Sequence, residues 1–242
     1  MPSLRILSLN IRHGGGKRIE RLISAVAEQQ PDVVLLSEVR ISSVERICAG
    51  LAERGLTESH WTDIERGING LLALHKTGVA QSLGTLDETL PHRGHRLLLK
   101  AHGVHLLGVH ILSQSTDKVA KQAQWDRLLA RVDSMNGEPW LVMGDLNTGD
   151  ASDRPASCPP FTGERCFVRL IGEVGADCWR LHHAGKSEGT WYSHTGNPFR
   201  LDHAVCSRPL LKLITRCDYV HSLRTEGLTD HSGLIVEVAT GQ

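Results

Sequence analysis

The sequence predicts an α/β fold with mixed β-sheets, built as a single domain over residues 1–242. Two patterns lead to this prediction. Short apolar, β-branched runs alternate with helical stripes at the start of the chain, which is typical of neighbouring strands joined by a helix. Further on, only a turn at His102 and Gly103 separates two apolar runs, which predicts an antiparallel hairpin. A chain of 242 residues can bury the core that such sheets need, and it shows no repeat or linker.

The first third of the chain is predicted as three strands separated by two helices. The strands cover 5–10, 32–38 and 69–75, and the helices carry apolar stripes over 19–26 and 44–51. Pro31 ends the first helix, and the S-x-x-E pattern from Ser42 to Glu45 predicts a capping box for the second. Because the first helix joins neighbouring strands, Asn10 and Glu38 should lie at the same edge of one sheet.

The remaining elements follow the same reasoning. The hairpin strands cover 97–100 and 105–111, and a residue within 115–117 should cap a long helix with its apolar stripe over 125–132. The run after Trp140 is a buried strand, and 151–163, rich in Ser, Pro and Asp, should be a surface loop. Later segments are predicted as a short helix at 168–171, a strand or loop edge at 189–193, and strands at 200–207, 216–220 and 234–238.

Charge, cysteine spacing and hydropathy argue against several functional classes. Lysine plus arginine equals aspartate plus glutamate at 27 each, so a strongly electropositive surface for nucleic acid or membrane is not expected. The six cysteines form no CxxC pair, which disfavours a zinc ribbon and predicts reduced thiols. No leader and no apolar run of membrane length is visible, so we expect a cytoplasmic monomer without a membrane span.

The stretch from 140 to 148, WLVMGDLNT, suggests a site at the end of a core strand. Asp145 and Asn147 follow the apolar run two residues apart. Side chains of an extended segment alternate in direction, so these two should point the same way. A carboxylate and an amide together could hold a water, a metal or a phosphate. The alternative is a plain strand followed by an Asp/Asn/Gly turn.

Polar residues recur at predicted strand ends throughout the chain. They are Asn10, Glu38, His110, Asp145, Asn147, Asp202, Asp230 and His231. Charged residues end apolar strands repeatedly only when they are paired or bind something. Carboxylates brought together need a cation, and oxygen and amide ligands select Mg²⁺ or Mn²⁺ over zinc. A carboxylate beside an imidazole, as with Asp202 and His231, would orient a histidine that contacts a phosphoryl oxygen.

Two other catalytic classes lack their motifs. No G-x-S-x-G elbow supports a Ser–His–Asp esterase. The glycine run at 14–16 lacks the G-K-[ST] ending of a Walker loop.

Six short blocks, in this order, resemble the endonuclease/exonuclease/phosphatase superfamily with its DNase I-like fold. The blocks are LN at 9–10, SE at 37–38, GVH at 108–110, GDLN at 144–147, RLDH at 200–203 and TDHS at 229–232. Each is weak alone, but together they span nearly the whole chain. The resemblance implies a four-layer sandwich, with two central, mostly antiparallel sheets flanked by helices, and divalent-metal hydrolysis of phosphoester bonds.

The resemblance also implies a role for each matching residue. Glu38 would be the main metal carboxylate, with Asn10 and Asp230 nearby. The catalytic set would be Asp145 on the attacking water, Asn147 on the phosphate, His231 with Asp202 on the scissile phosphate, and His110 on the phosphate or leaving group. Some members carry a tyrosine near His110, so this histidine points away from the abasic-site repair branch.

Three further residues are candidates for substrate binding. Some repair nucleases of the superfamily carry an acidic residue two positions after the asparagine. Arg12 stands there instead, which suggests a phosphate contact. Trp191 and Arg200, with Tyr192, would form a substrate rim, although Trp191 is equally suited to the core.

We therefore expect an Mg²⁺-dependent phosphodiesterase, with Mn²⁺ as the alternative ion. Its partner would be a phosphodiester substrate, with nucleic acid among the candidates. A small-molecule or lipid-headgroup phosphatase on the same fold is the alternative enzyme. A catalytically silent binding module is the alternative from another class, although none of the expected metal or histidine residues is missing.

Overall fold

The computed structural model describes residues 2–86, 94–100, 102–114, 117–135 and 137–241. Within these residues, twelve strands form two sheets of six. The first sheet contains β1 (Ser3–Asn10), β2 (Val33–Val39), β3 (Glu58–Trp61), β4 (Gly70–His75), β13 (Ile214–Val220) and β14 (Gly233–Ala239). The second contains β5 (Ala80–Thr85), β6 (Gly94–Leu99), β7 (Val104–His110), β8 (Trp140–Asp145), β9 (Gly175–Asp177) and β12 (Asp202–Ser207). A separate small hairpin joins β10 (Trp191–Tyr192) to β11 (Pro198–Phe199).

The helices connect and cover these sheets. Their bounds are α1 (Ile19–Glu28), α2 (Ile41–Ala52), α3 (Lys118–Ser134), α4 (Glu164–Arg169), α5 (Cys178–His182) and α6 (Ser222–Thr225), and a π-helical turn, Leu170–Val174, follows α4. Among the described residues, no helix is both long and apolar enough to cross a membrane.

Both sheets are mixed, as predicted. The strand orders are β13-β14-β1-β2-β4-β3 and β5-β6-β7-β8-β12-β9. The parallel pairs are β1 with β2, joined by α1, and β7 with β8, joined by α3, while the other neighbours are antiparallel. A helical crossover is what a parallel pair requires, and the parallel direction brings the carboxyl ends of the two strands to one edge.

The layers are helix, sheet, sheet, helix. Along β1, Ile6 belongs to the core between the sheets, and its neighbour Leu7 belongs to the core beneath α1 and α2. The outer face of the second sheet packs on α3 and α4, with Trp125 and Phe167 buried there. This alternation follows from the two-residue period of a strand covered on both faces. The four-layer, mostly antiparallel sandwich is therefore confirmed, whereas its assignment to a single domain stays a prediction.

Most predicted elements are present, with one wrong cap. Helix α2 begins at Ile41, so Ser42 lies inside it, and Arg40 occupies the N-cap position without a side-chain hydrogen bond. The capping box fails because β2 extends to Val39 and leaves only Arg40 as a connection. The predicted cap of α3 is confirmed at Asp117, which accepts hydrogen bonds from the backbone of Val119 and Ala120, and 115–116 lie outside the described residues.

Two further predictions from the sequence agree with the structure, and several short elements were not predicted. Strands β6 and β7 form the predicted hairpin, and His102 and Gly103 in its turn both have a φ of 60°. All six cysteines are free thiols, as expected. The short elements β3, β5, β9 and α5 were not predicted, because they lie at sheet edges or carry no clear periodicity.

Candidate active site

A cavity of about 620 Å³ opens where strands of both sheets end. Seven of the predicted site residues line it: Glu38, His110, Asp145, Asn147, Trp191, Asp230 and His231. Asn10 and Asp202 are buried and hydrogen-bonded to these lining residues. The structure thus brings together residues that are up to 221 positions apart in the sequence, from Asn10 to His231.

The pairing of β7 with β8 sets His110 beside Asp145. These residues are direct partners in the parallel register and end their strands together. One step earlier, Gly144 has a φ of 150°, and a Cβ there would lie 1.8 Å from the Val109 carbonyl oxygen. Only glycine fits this backbone conformation and this close approach. The glycine of the GDLN block therefore permits the strand contact that positions both side chains.

Asp145 and Asn147 point into the same cavity, as predicted, but for a different reason. The chain is not extended here, because Asn147 has a φ of 46°. The Asn147 N–H donates to Asp145 Oδ1 at 2.9 Å, which forms an Asx turn. Asn147 Nδ2 donates to the Ile111 carbonyl at 3.0 Å, and Lys121 Nζ donates to the Asn147 carbonyl at 2.6 Å. Hydrogen bonds to Ile111, which follows β7, and from Lys121 on α3 therefore hold the turn in place.

Asn10 connects the two sheets across the site. Its Nδ2 donates to Glu38 Oε1 at 3.1 Å and to Asp145 Oδ2 at 2.9 Å. Its Oδ1 accepts the Arg12 N–H at 2.9 Å, and the residue is 2 % exposed. This shared amide brings the Glu38 and Asp145 carboxylates close to each other.

Glu38 projects from an irregularity in β2. It has a φ of 57°, and the register between β2 and β4 shifts between Ser37 and Val39. Bulges of this kind redirect a side chain and are common next to functional sites. Glu38 Oε2 accepts the His13 N–H at 3.0 Å and lies 3.4 Å from Asn69 Nδ2.

Asp202 supports His231, as the sequence predicts. Asp202 Oδ2 lies 2.9 Å from His231 Nδ1. Asp202 is itself held at its backbone, since Thr190 Oγ1 accepts its N–H at 3.3 Å and the Tyr219 hydroxyl donates to its carbonyl at 2.7 Å. With Nδ1 engaged, His231 Nε2 lies 3.7 Å from Asp145 Oδ2, and His110 Nε2 lies 3.9 Å from the same oxygen.

Burial and charge perturb the two central groups in opposite ways. Burial raises the pKa of Asp145 to about 7, and the Asp202 carboxylate adds to this effect while His231 opposes it. Burial alone would lower the pKa of His231, but Asp202 and Asp145 offset it and raise that pKa to about 10. At neutral pH the site therefore holds an imidazolium beside a carboxyl group that readily accepts a proton.

Asp230 and Arg12 lie at the mouth of the cavity. Arg12 Nε is 3.6 Å from Asp230 Oδ2, and these side chains are 56 % and 37 % exposed. Such an exposed pair is weak. Both groups can therefore exchange partners when a ligand enters.

The structure contradicts the prediction that Arg200 binds substrate. Arg200 is 1 % exposed, and its guanidinium is bonded to Asp153 at 2.7 Å and to Asp177 at 2.6 Å. It is a buried structural cation and does not reach the rim. Trp191 does line the cavity, where it forms a backbone bridge to His231 and its ring centroid is 5.9 Å from that of Phe199.

Sequence reasoning missed several lining residues. Asn69 precedes the apolar strand β4, so it carries the same strand-end signal as the predicted set and could have been found. His13 follows Asn10 closely and lies next to the glycine run, but its direction depends on the turn conformation. Phe161 and Phe199 form an apolar wall from a loop and a two-residue strand, where no periodicity marks them.

The donor atoms around the cavity fit a divalent cation. Glu38, Asp145 and Asp230 offer carboxylate oxygens, and Asn69 Oδ1 is buried without a hydrogen-bond partner. A second group, Asp145, Asp202 and His231, has ligand atoms within 4.8 Å of one another and is the one group of three that meets this criterion in the described part of the chain. Oxygen-rich sets of this kind favour hard divalent ions.

A family model described as "Endonuclease/Exonuclease/phosphatase family" matches residues 7–231. The chain belongs to this family, whose members are divalent-metal-dependent hydrolases of phosphoester bonds. A comparison with curated protein sequences gives no match.

Solved structures share the fold at low sequence identity. An AP endonuclease from Archaeoglobus fulgidus superposes with a TM-score of 0.82 at 16 % identity, covering 96 % of this chain and 98 % of that one. The 3′ phosphatase NExo from Neisseria, bound to a product DNA hairpin, gives 0.81 at 18 % identity, with 98 % and 99 % covered. These similarities establish the DNase I-like fold.

Proposed function

We propose that this protein is an Mg²⁺-dependent phosphodiesterase, with Mn²⁺ as the alternative ion, that cleaves a P–O bond by in-line attack of water. The observation that carries the proposal is the line of contacts from Asp202 through His231 to Asp145 at the cavity. It combines an oriented imidazolium with a buried carboxyl group whose pKa is raised to about 7. In this proposal, all of the site residues belong to a single domain.

Each group has a task that its contacts support. Asp145 accepts the proton of the attacking water, because burial makes it a stronger base than an ordinary aspartate. His231 stabilises negative charge on a phosphoryl oxygen, and Asp202 fixes its orientation. Asn147 holds the phosphate, since an amide nitrogen has two hydrogens and Ile111 uses one of them. His110 faces the leaving group.

Glu38, Asn10 and Asp230 are the proposed metal residues. Glu38 and Asp230 line the cavity with carboxylate oxygens, while Asn10 holds Glu38 through its amide. A bound divalent cation would supply Lewis-acid stabilisation of the phosphoryl charge. Arg12, which lies 3.6 Å from Asp230, is the proposed contact to a substrate phosphate.

The lining of the cavity favours a diester over a monoester. The wall formed by Phe161, Trp191 and Phe199 can cover the second esterified group, which a monoester lacks.

Nucleic acid is one source of such a diester. The structural neighbours are an AP endonuclease and a 3′ phosphatase bound to DNA. The zero formal net charge predicts few simultaneous phosphate contacts in this chain. Binding to a polymer should therefore depend only weakly on salt concentration.

The test is a substrate panel with and without metal. Plasmid DNA, abasic DNA, RNA, bis-p-nitrophenyl phosphate and p-nitrophenyl phosphate are assayed in Mg²⁺, Mn²⁺ and EDTA. We expect diester hydrolysis that stops in EDTA and returns with Mg²⁺. Full hydrolysis in chelator contradicts the metal assignment. A preference for p-nitrophenyl phosphate makes the chain a small-molecule or lipid-headgroup phosphatase instead.

Variants of the His231 pair test the mechanism on the preferred ester. His231→Ala and Asp202→Asn should each lower kcat by roughly 10²- to 10⁴-fold, the usual range for a positioned acid–base group. His182→Ala, at an exposed position on α5, is the matched control. Wild-type turnover in His231→Ala would show that the pair is structural.

A further inference from the structure

The turn after β1 is built around Glu38. Arg12, His13 and the three glycines that follow all have positive φ, from 52° to 78°. In this turn the Gly14 N–H donates to the Glu38 carbonyl at 2.7 Å, and Ser43 Oγ donates to the Gly14 carbonyl at 2.9 Å. A Cβ on Gly14 would lie 2.6 Å from Ser43 Oγ, so the turn fits closely. Left-handed conformations at Arg12 and His13 carry strain, which is commonly retained where it serves a site.

This turn directs the His13 imidazole at the Glu38 carboxylate. His13 lines the cavity, its Nδ1 lies 3.1 Å from Glu38 Oε2, and its side chain is 61 % exposed. Asn69 Nδ2 lies 3.0 Å from the same Nδ1 and 3.4 Å from Glu38 Oε2. An amide NH₂ only donates, so His13 Nδ1 presents its lone pair beside a carboxylate oxygen. Two acceptors at that distance repel each other unless a proton or a cation lies between them.

The spacing and the donor set match two ligands of one ion. Ligands at right angles on an ion with bond lengths of about 2.1 Å lie about 3.0 Å apart. The pair offers one imidazole nitrogen and one carboxylate oxygen.

We propose that His13 is a metal ligand alongside Glu38 and that it shifts the ion preference of the site from Mg²⁺ towards Mn²⁺. Mg²⁺ strongly prefers oxygen ligands, whereas Mn²⁺, although it stands lowest in the first-row affinity series, accepts an imidazole nitrogen more readily than Mg²⁺ does. His13 is thus a specificity-determining residue. This inference rests on the proposed metal-dependent function.

The experiment measures the coordination of Mn²⁺ added alone to the metal-free protein. Electron spin echo envelope modulation of the bound ion detects a directly coordinated ¹⁴N nucleus. We expect this coupling in the wild type and in His231→Ala and His182→Ala, and its loss in His13→Asn. Asparagine tolerates the left-handed conformation of this position, so the variant should fold. No ¹⁴N coupling in the wild type, no Mn²⁺ binding, or coupling that survives in His13→Asn would overturn the proposal.

Competition between ions gives a second readout. Calorimetry should show that His13→Ala weakens Mn²⁺ binding at least tenfold and Mg²⁺ binding less than threefold. Equal losses for both ions would contradict a role in ion preference.

Two sets of results distinguish an error in the His13 assignment from an error in the proposed function. If Glu38→Ala abolishes Mn²⁺ binding and diester hydrolysis but no nitrogen is coordinated in the wild type, only the His13 assignment falls. If diester hydrolysis is unchanged in EDTA, the proposed function falls whatever the spectrum shows.

Discussion

Asp145 and Asp177 end two strands of the same sheet, on either side of β12, and both are almost fully buried at 2 % and 4 % exposure. Burial raises the pKa of Asp145 to about 7. The same burial acts on Asp177, but the charge of Arg200 and its hydrogen bond to Asp177, with His203 Nδ1 3.9 Å away, hold the pKa of that carboxyl well below the usual range. A polar strand end is therefore not enough to mark a site.

The two surroundings differ in how completely the carboxylates are neutralised. Around Asp177, the carboxylates of Asp150, Asp153 and Asp177 are bonded to the guanidinium groups of Arg180 and Arg200. Around Asp145, one imidazole supported by Asp202 is the nearest positive group, and the cluster opens on a cavity. We infer that the first cluster fixes the loop over 151–163, whereas the second leaves interactions for a ligand.

Asp145→Asn should produce the largest effect. It keeps the shape of the side chain and removes the proposed general base, so kcat should fall by about 10⁴-fold, the upper end for general acid–base catalysis. The free energy of unfolding at pH 8 should stay equal or rise, because a buried, incompletely neutralised charge is removed. Single-turnover kinetics and urea denaturation measure the two quantities. A large loss of stability with modest loss of kcat would place Asp145 with the structural cluster.

Asp177→Asn should behave in the opposite way. Removing one carboxylate from this buried ion-pair network leaves the Arg200 guanidinium with Asp153 alone, so the free energy of unfolding should fall by about 3–5 kcal/mol. Turnover per folded molecule should change less than twofold, because Asp177 is outside the residues that line the cavity. The same denaturation and kinetic assays apply. If kcat collapses while stability is unchanged, the two clusters do not divide structural and catalytic roles in this way.

His95 is a third buried polar group. It differs from Asp145 and Asp177 because it is buried in its neutral form. Burial, reinforced by His60 and Arg96, lowers its pKa to about 4, and Ser82 Oγ lies 3.1 Å from its Nε2. A folded pKa below the ordinary value of 6.5 means that its contribution is complete above pH 6.5. The contribution is lost as the pH falls through 4, and it amounts to about 3 kcal/mol at 1.36 kcal/mol per pKa unit.

His95→Gln should remove this pH dependence. We expect the free energy of unfolding to fall between pH 7 and pH 4 by about 3 kcal/mol less in the variant than in the wild type. Urea denaturation at both pH values measures the difference, and His182→Gln on the exposed face of α5 is the control. Parallel curves for His95→Gln and wild type would show that His95 is not a buried neutral group.

Lys121→Met should give the smallest effect and tests how the site is supported. Lys121 is fully buried, and its ammonium group donates a hydrogen bond to the Asn147 carbonyl. Burial lowers its pKa to about 8, although the Asp145 charge opposes this shift. The methionine leaves that carbonyl unpaired, so we expect a loss of about 1–2 kcal/mol in stability and roughly tenfold in kcat. Lys118→Met, exposed on the same helix, is the control; an identical result for both variants would refute the supporting role.

The sequence could predict those parts of the site that depend on strand periodicity. Apolar strands reveal where they end, so Glu38, His110 and Asp145 were found from the polar residue that follows each run. The prediction that Arg200 belongs to a substrate rim was wrong, because the sequence does not show that Asp153 and Asp177 would enclose it. Pairing between distant charges depends on tertiary contacts, and no local pattern encodes it.

The conformations of turns and loops were the second feature that could not be predicted from the sequence. Asp145 and Asn147 were expected to align because of an extended backbone, yet a left-handed Asn147 produces the alignment. His13 was missed because its direction depends on consecutive positive φ angles, and Phe161 because irregular segments have no period. The capping box at Ser42 failed for a similar reason, since the exact end of β2 decided where α2 begins.

Strands β1 and β14 are neighbours at the middle of the first sheet, with Ser3 opposite Ala239. The Thr229 hydroxyl also donates to the Asn10 carbonyl at 2.6 Å. Contacts this far apart in sequence form late and slowly during folding. During synthesis on the ribosome, the catalytic groups can therefore meet only after residues near 239 have emerged. A nascent chain should stay inactive until then, which would keep an unfinished hydrolase from acting on phosphoesters around it.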